Sequence, residues 1–393
     1  MIPLAEAQQR ALALAPALAA EHVALAAALG RWLAEDLPAL RTQPVRALSA
    51  MDGYAIRYAD LPGPWQVMGA SVAGGPLPTP ITAGMATRIF TGAPLPDGAD
   101  MVVMQEDMAP SGDQVALAVP LDAKIGKHVR QAGEDFAAGQ ILLPAGTLLT
   151  PAALALAAMA GHGTLRVRRR VRVALLSTGD ELVPPGQPLG ENQIPASNGL
   201  MLHALLQSGA ADVVDMGIVA DTRAATEAAF RSAAQSADLV ISTGGASVGD
   251  HDHVKPALEA LGAEIDFWKI AMRPGKPLMA GRLGDACILG LPGNPVSAFV
   301  TAHLFARPMI AKMGGAHNPL PAYETAELAA PMPPVAKRTD HVRGILADGR
   351  VTPVGLNDSA ALLALSRANA LIIRPEGAPA AHTGDAVQIL RTA

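Results

Sequence analysis

The sequence predicts a multidomain α/β and β protein: a three-layer α/β domain with a largely parallel sheet, a helical domain, an inserted β domain and a C-terminal β domain. Three observations carry this. Between residues 170 and 315, apolar runs of strand length alternate with amphipathic runs of helix length, the pattern of a parallel sheet covered on both faces. Residues 46–128 and the stretch beyond Asn318 are instead cut by Gly and Pro into short strand-like pieces. The chain has 393 residues, 50% of them hydrophobic, which is enough for several cores and too apolar for a disordered protein.

In order along the chain, MIPLAEAQQRALALAPALAAEHVALAAALG is rich in Ala and Leu and interrupted by Glu6, Arg10 and Glu21. It reads as an amphipathic helix pair, and with no basic n-region before it a signal peptide is not expected. Residues 46–128 hold strand-like pieces such as TRIF and MVVMQ, with turn dipeptides at Pro62-Gly63, Gly74-Gly75 and Asp97-Gly98. They are expected as a β domain inserted into one discontinuous helical domain of residues 1–45 and 129–167. Within the second half of that domain, Thr150-Pro151 looks like an N-cap followed by proline at the first helical position. The apolar run it opens, TPAALALAAMAG, is far shorter than the roughly 20 residues of a membrane span, so no membrane crossing is expected. The segment RVRRRVRV at 166–173 places five arginines in eight positions; its partial alternation with valine suits an exposed edge or linker strand that marks a boundary.

The α/β domain follows, at residues 168–315. VRVALLS reads as a buried strand, NGLMLHALLQSG as a helix ending on Gly209, ADVVDMGIV as a strand and TRAATEAAFRSAAQSA as a helix. DLVIS is a strand, VKPALEALG a helix closed by Gly262, and EIDFWKI a further strand. Residues 316–393 return to β pattern, clearest in LIIRPEG and DAVQIL.

Composition narrows the function. Thirty Lys plus Arg against 35 Asp plus Glu give a formal charge of −5, which argues against a general nucleic-acid surface and leaves room for a local basic pocket. The single cysteine, Cys287, excludes a disulfide framework and argues against a cysteine-based metal centre. A reducing cytoplasm fits.

In a parallel sheet the loops after the strands emerge at one edge, where ligands bind. Five such loops stand out: Thr178-Gly179-Asp180-Glu181, Ala220-Asp221, the glycine-rich TGGASVGDHDH of 243–253, Arg273-Pro274-Gly275-Lys276-Pro277, and Pro292-Gly293-Asn294-Pro295-Val296-Ser297. They gather acids at 180, 181, 221, 250 and 252 beside cations at 273 and 276. Glycines before helices expose N–H groups that suit phosphate or another oxyanion. Acids beside such a cradle call for a divalent cation with oxygen ligands, commonly Mg²⁺. Taken singly, Gly244-Gly245 is a turn, Asp180 a turn cap, Lys276 a surface lysine, and His251 and His253 solvated loop residues. Their convergence on one rim raises the functional reading. Neither GxxxxGK[ST] nor GxGxxG occurs in this domain, which removes the common NTPase and dinucleotide readings.

Seven motifs in order, SAMDGYA (49–55), FTGAPLPDGAD (90–100), GED (133–135), STGDEL (177–182), STGGASVGDHD (242–252), FWKIAMRPGKP (267–277) and LPGNPVSA (291–298), make the chain resemble the MoeA family of molybdopterin molybdenumtransferases, which includes the E domain of gephyrin. The resemblance spans nearly the whole chain. It implies an elongated homodimer of four-domain subunits: a helical dimerisation domain, an inserted β domain, an α/β domain of the molybdopterin adenylyltransferase type and a C-terminal β-barrel-like domain. It implies a reaction in which adenylylated molybdopterin and molybdate give molybdenum cofactor and AMP with Mg²⁺. A transient partner, a molybdopterin adenylyltransferase, is also implied.

Carried over by motif, the functional positions are Asp52, Thr91 and Asp135, which in the family face the α/β pocket of the other subunit, with Glu181, Asp221, Asp252, Ser247, Lys269, Arg273 and Lys276. Glu181, Asp221 and Asp252 are placed to hold the cation or position an attacking water. Arg273 and Lys276 would neutralise oxyanions, while Ser297, Asn294 and the N–H groups of Gly244 and Gly245 would orient them. Arg343 and Ser359 sit where the family supplies molybdate contacts. Several family members have lysine where this chain has Arg273, so a planar fork replaces a point charge. The rival is a molybdopterin adenylyltransferase-type enzyme, which ordinarily reads TGGTG where this chain has TGGASVGD and which lacks the MDGYA domain. A scaffold role and nucleic-acid binding through RVRRRVRV rank lower.

Overall fold

The computed structural model describes residues 1–122, 124–245, 253–355 and 358–392. It divides into two compact units. The first comprises Met1–Glu35, Ala145–Thr150 and Thr164–Ala393, the second Asp36–Pro144 and Pro151–Gly163.

The first unit is organised around a six-stranded sheet of β1 (Val171–Thr178), β2 (Ala211–Val219), β3 (Leu239–Thr243), β4 (Glu264–Trp268), β5 (Met279–Leu283) and β6 (Ala286–Leu291), in the order β2-β1-β3-β6-β5-β4. Strand β1 is parallel to β2 and β3, and β3 to β6; β5 is antiparallel to both β6 and β4. Two reversals restore direction, so β4 runs the same way as β6. All five strands whose loops were singled out in the sequence therefore point their carboxyl ends to one rim. Strand β5 was not read from the sequence. It is short, contains Gly281, and joins β6 across the two-residue turn Gly284-Asp285, with Gly284 at φ +60°.

Helices cover both faces, as the alternating pattern requires. On one side Val173 and Leu175 of β1, Ile241 of β3 and Leu289 of β6 pack with helices α1 (Leu4–Leu14), α2 (Asn198–Leu206), α5 (Pro295–Thr301) and α6 (Arg307–Met313). On the other, Ala174, Leu176, Val240 and Ile288 pack with Phe230 of α3 (Arg223–Ser236) and with Val254 and Leu258 of α4 (Val254–Ala260). Successive residues of a strand feed opposite layers. Fully burying each aliphatic side chain is worth about 1.5–3 kcal/mol, which anchors the loops at the rim. Cys287 lies inside the first layer, where burial pushes its thiol up to about 11.

The expected N-terminal helix pair is α1 followed by a strand. Residues Ala20–Ala24 pair antiparallel with Thr164–Arg168, and this ladder overrides the helix propensity of an Ala/Leu-rich segment already broken at Pro16. The segment RVRRRVRV is an edge strand only in its first half, where Thr164–Arg168 belongs to a two-stranded sheet. Its end is the start of β1, which is interior to its sheet. Its arginines are engaged: Arg166 with Glu35, Arg168 with the Leu18 carbonyl, Arg170 with Asp212, and Arg169 and Arg172 both with Asp238.

The C-terminal strands Glu324–Leu328, Thr339–Ala347, Arg350–Pro353, Ala370–Arg374 and Ala386–Arg391 form a small closed barrel, because the second of them pairs with both the third and the fourth. Leu328, Val351, Ile372 and Ile389 fill it. Met272–Arg273 adds alongside Thr339-Asp340, tying the loop after β4 to the barrel.

The second unit contains a six-stranded sheet from Gly53–Ile56, Trp65–Ser71, Met85–Ile89, Met101–Met104, Met108–Ser111 and Gln114–Leu117. Trp65, Ile56, Met101 and Val103 form its core. The helix expected at Pro151 runs from Pro151 to Met159. Among the described residues, no helix is long and apolar enough to cross a membrane.

Candidate functional site

At the rim, β1 ends on Thr178 and turns through Gly179 (φ +142°), a position where a Cβ would stand 2.4 Å from the Glu181 carboxylate. The carboxylate thus folds back over its own turn. The turn after β3 is equally demanding. Gly244 and Gly245 have φ of +90° and +60°, and a Cβ at Gly244 would come within 2.4 Å of the Thr178 carbonyl oxygen. Only glycine lets these two loops lie against each other. Between them opens a cavity of about 650 Å³ lined by Glu181, Gly244, Gly245, Asn198, Asn294 and neighbours. Its surface is a glycine cradle with one carboxylate, suited to a phosphorylated ligand.

A second cavity, about 280 Å³, adjoins the first; Pro277, Pro292 and Asn294 line both. Its wall carries four cations, Arg273, Lys276, Arg338 and Arg343, against two carboxylates, Asp340 and Asp358, a surplus of two positive charges. Ser297, Ser359 and His341 complete the polar lining. The loop bearing Arg273 and Lys276 depends on Gly275 (φ +107°), where a Cβ would stand 2.6 Å from Thr301 Cγ2. Asn294 Nδ2 donates to Ser359 Oγ at 2.8 Å and the Val296 amide to the Ser359 carbonyl at 3.0 Å, so the start of α5 fixes the serine.

Arg343 is only 5% exposed. It donates to the carbonyls of Asp358 and Ala361 at 3.1 and 3.2 Å. Burial lowers its affinity for the proton, with the Asp358 charge opposing, as befits a guanidinium held in place without full neutralisation. Asp340, 3.9 Å from Arg273, is raised by burial despite the neighbouring arginines. Asp358, next to Ser359, accepts at Oδ1 from the Ala360 amide at 2.9 Å.

The structure therefore brings Glu181, Gly244, Gly245 and Asn294 onto one cavity, and Arg273, Lys276, Asn294, Ser297, Arg343 and Ser359 onto the other. Two expected residues of the first unit line neither. The Asp221 amide donates to Asp180 Oδ1 at 2.9 Å, joining the loops after β1 and β2, and the Lys269 ammonium stands 5.1 Å from the centroid of the Trp268 ring. Ser247 and Asp252 lie outside the described residues. Among the described residues, no group of three His, Cys, Asp or Glu side chains is arranged to hold a metal. Glu181 and Asp221 supply only oxygen donors, the chemistry a hard cation such as Mg²⁺ requires.

In the second unit, the Thr91 amide and hydroxyl both donate to Asp52 Oδ1, at 2.7 and 2.8 Å. These bonds hold the Asp52 carboxyl below its usual range. The Asp135 amide donates to the Gln43 carbonyl at 3.1 Å. The pairing of Asp52 with Thr91 joins MDGYA to TGAPLP within one unit.

Sequence reading missed Asn198 and His341. Asn198 Nδ2 donates to the Gly293 carbonyl at 2.7 Å, and its buried Oδ1 has no partner among the described residues. It stands at the start of α2 in the larger cavity. A Ser-Asn pair at a helix start reads as a cap, yet neither side chain caps the helix here, and the place of Asn198 in the cavity has no sequence signal.

Residues 2–161 match the family described as MoeA N-terminal region (domain I and II), residues 174–312 the probable molybdopterin binding domain, and residues 325–391 the MoeA C-terminal region (domain IV). The chain is 38% identical to the molybdopterin molybdenumtransferase of Haemophilus influenzae, over 94% of this chain and 93% of that protein. It is 38% identical to the protein of that name from Nostoc, over 94% and 88%. Among solved structures it is similar to a molybdopterin biosynthesis MoeA protein from Pyrococcus horikoshii OT3, with TM-score 0.85, 26% identity and 100% of both chains covered.

Proposed function

The chain belongs to the MoeA family, and from that premise we propose how its two adjoining cavities divide the reaction. It is a transferase that inserts molybdenum into molybdopterin. In our reading the larger cavity takes adenylylated molybdopterin and the smaller takes molybdate, and the reaction releases AMP. One observation carries this assignment: the smaller cavity has a surplus of two positive charges and shares Asn294 with a glycine cradle. A tetrahedral dianion matches that charge, and the shared wall sets it beside a phosphorylated ligand.

Each residue then has a task. Backbone N–H groups at Gly244 and Gly245 bind phosphoryl oxygens. Arg273, Lys276 and Arg343 hold the molybdate oxygens, with Ser297 and Ser359 fixing their orientation. Glu181 and Asp221, with Asp252, would hold Mg²⁺ or position water, while the cation would supply charge neutralisation at the phosphate. Lys269 acts from the edge of the site. The subunits form a homodimer in which Asp52, Thr91 and Asp135 face the pocket of the other copy, and a molybdopterin adenylyltransferase delivers the substrate. The enzyme works in the cytoplasm, in keeping with its single buried cysteine. The adenylyltransferase alternative is not favoured, since the relatives named as molybdenumtransferases match nearly end to end.

The test is reconstitution. Purified protein given adenylylated molybdopterin, molybdate and Mg²⁺ should release AMP and yield active cofactor, and Glu181→Gln should abolish this while the protein stays folded. AMP release that ignores molybdate would make the protein a plain hydrolase; adenylate formation from ATP would establish the rival. Sedimentation of the purified chain as a monomer at working concentration would remove the shared site.

A further inference from the structure

We infer that His341 is a substrate-binding residue, an uncharged hydrogen-bond donor to the oxyanion in the smaller cavity. This deepens the assignment of that cavity to molybdate and rests on it. The strand Thr339–Ala347 alternates: Val342 packs on the barrel core, while His341 and Arg343, two positions apart, share the opposite face; all three contribute to the cavity lining. His341 is 3% exposed; the Arg273 backbone approaches its ring, which leaves at least one ring nitrogen with no hydrogen-bond partner among the described residues. Buried polar atoms left so are rare because water can no longer satisfy them. An imidazole on the wall of an anion cavity has its partner supplied when the anion arrives.

The groups around it decide its form. Arg273, Lys276, Arg338 and Arg343 line the same cavity from two segments of chain, 273–276 and 338–343, with Asp340 next to it in sequence and Asp358 on a third segment. Burial pushes the imidazole down to about 4, and the Arg273 backbone only partly opposes this. The ring is therefore neutral at physiological pH and brings one N–H without adding to the positive surplus. A second arginine or lysine here would overcharge the wall and hold the dianion too tightly for transfer; a neutral donor adds a contact at fixed charge.

The experiment compares wild type, His341→Phe, His341→Gln and Arg343→Met in calorimetric titration with sodium molybdate. Imidazole ¹⁵N spectra of the wild-type protein are recorded with and without the anion. His341→Phe should weaken binding by about tenfold to a hundredfold, the worth of one bond to a charged group, and raise KM for molybdate while kcat at saturation is kept. His341→Gln should restore most of the affinity, and one His341 nitrogen should shift on molybdate addition. A structural role alone would not give that rescue or that shift. If Arg343→Met loses affinity while His341→Phe binds as wild type and the His341 resonances stay put, the inference is wrong and the cavity assignment stands. If molybdate binds wild type and both variants equally, the assignment of the cavity itself falls. Should His341→Phe fail to fold, His341→Gln and the wild-type spectra decide the matter.

Discussion

Replacing Arg343 by methionine should separate binding from stability. The guanidinium is nearly enclosed, forms no salt bridge among the described residues, and gives two bonds to the carbonyls of Asp358 and Ala361 at 3.1 and 3.2 Å. Losing those bonds costs about 1.5–3 kcal/mol each. Removing a buried, incompletely neutralised charge returns several kcal/mol of desolvation, and methionine fills similar space. The opposing terms leave the unliganded protein within about 1 kcal/mol of wild type. Binding has no such offset: the surplus on the cavity wall falls from two charges to one, and a charge-assisted bond to molybdate is lost, worth about 1.5–3 kcal/mol or ten- to a hundredfold in affinity. Urea unfolding and molybdate titration on the same preparation read both quantities. Destabilisation beyond about 3 kcal/mol with unchanged affinity would show that Arg343 only props the 358–361 turn, and the reasoning would fail.

Other perturbations follow from the same geometry. Gly244→Ala should destabilise by about 2–4 kcal/mol, from the left-handed conformation and the Thr178 carbonyl 2.4 Å away, and should lose activity. Gly245→Ala meets the buried, β-branched Val254 side chain 2.4 Å away and should cost a similar amount, as melting temperatures will show. At Asp238 burial would raise the pKa, but bonds from Arg169 and Arg172 outweigh it and hold the carboxyl well below its usual range. Its contribution is therefore present above the unfolded value of about 4 and is lost as pH falls through the lowered folded value. Asp238→Asn should cost on the order of 2 kcal/mol at pH 7, with the gap to wild type closing at acid pH in denaturant titrations. Asn198→Ala should raise KM for the pterin substrate roughly tenfold, one hydrogen bond's worth; an unchanged KM would leave Asn198 only the structural task of tying the start of α2 to Gly293.

Much of this was legible in the sequence because strands and helices of the α/β domain are long, strongly patterned and bounded by glycine, and because parallel strands send their loops to one edge. β1, β3 and β6 were readable as apolar runs. The hairpin strand β5 was not, since Met279–Leu283 is short and glycine-interrupted. The strand at Ala20–Ala24 was hidden because local propensity favours helix and only its partner at Thr164–Arg168 makes it a strand. At the site, the sequence located loops but not the directions of side chains. Lys269 has φ +100° and turns its ammonium onto Trp268, and Asp221 meets Asp180 through its amide; neither orientation has a sequence signal. His341 resembles any residue of a β strand until the barrel buries it.

Soaking crystals of the protein with sodium molybdate and collecting data at the molybdenum absorption edge tests the central claim most directly. A single anomalous peak is expected in the cavity between Arg273, Lys276, Ser297, Arg343 and Ser359, within hydrogen-bond distance of the guanidinium of Arg343. A fully occupied peak elsewhere, with that cavity holding only water in an enzyme that still inserts molybdenum, would contradict the account.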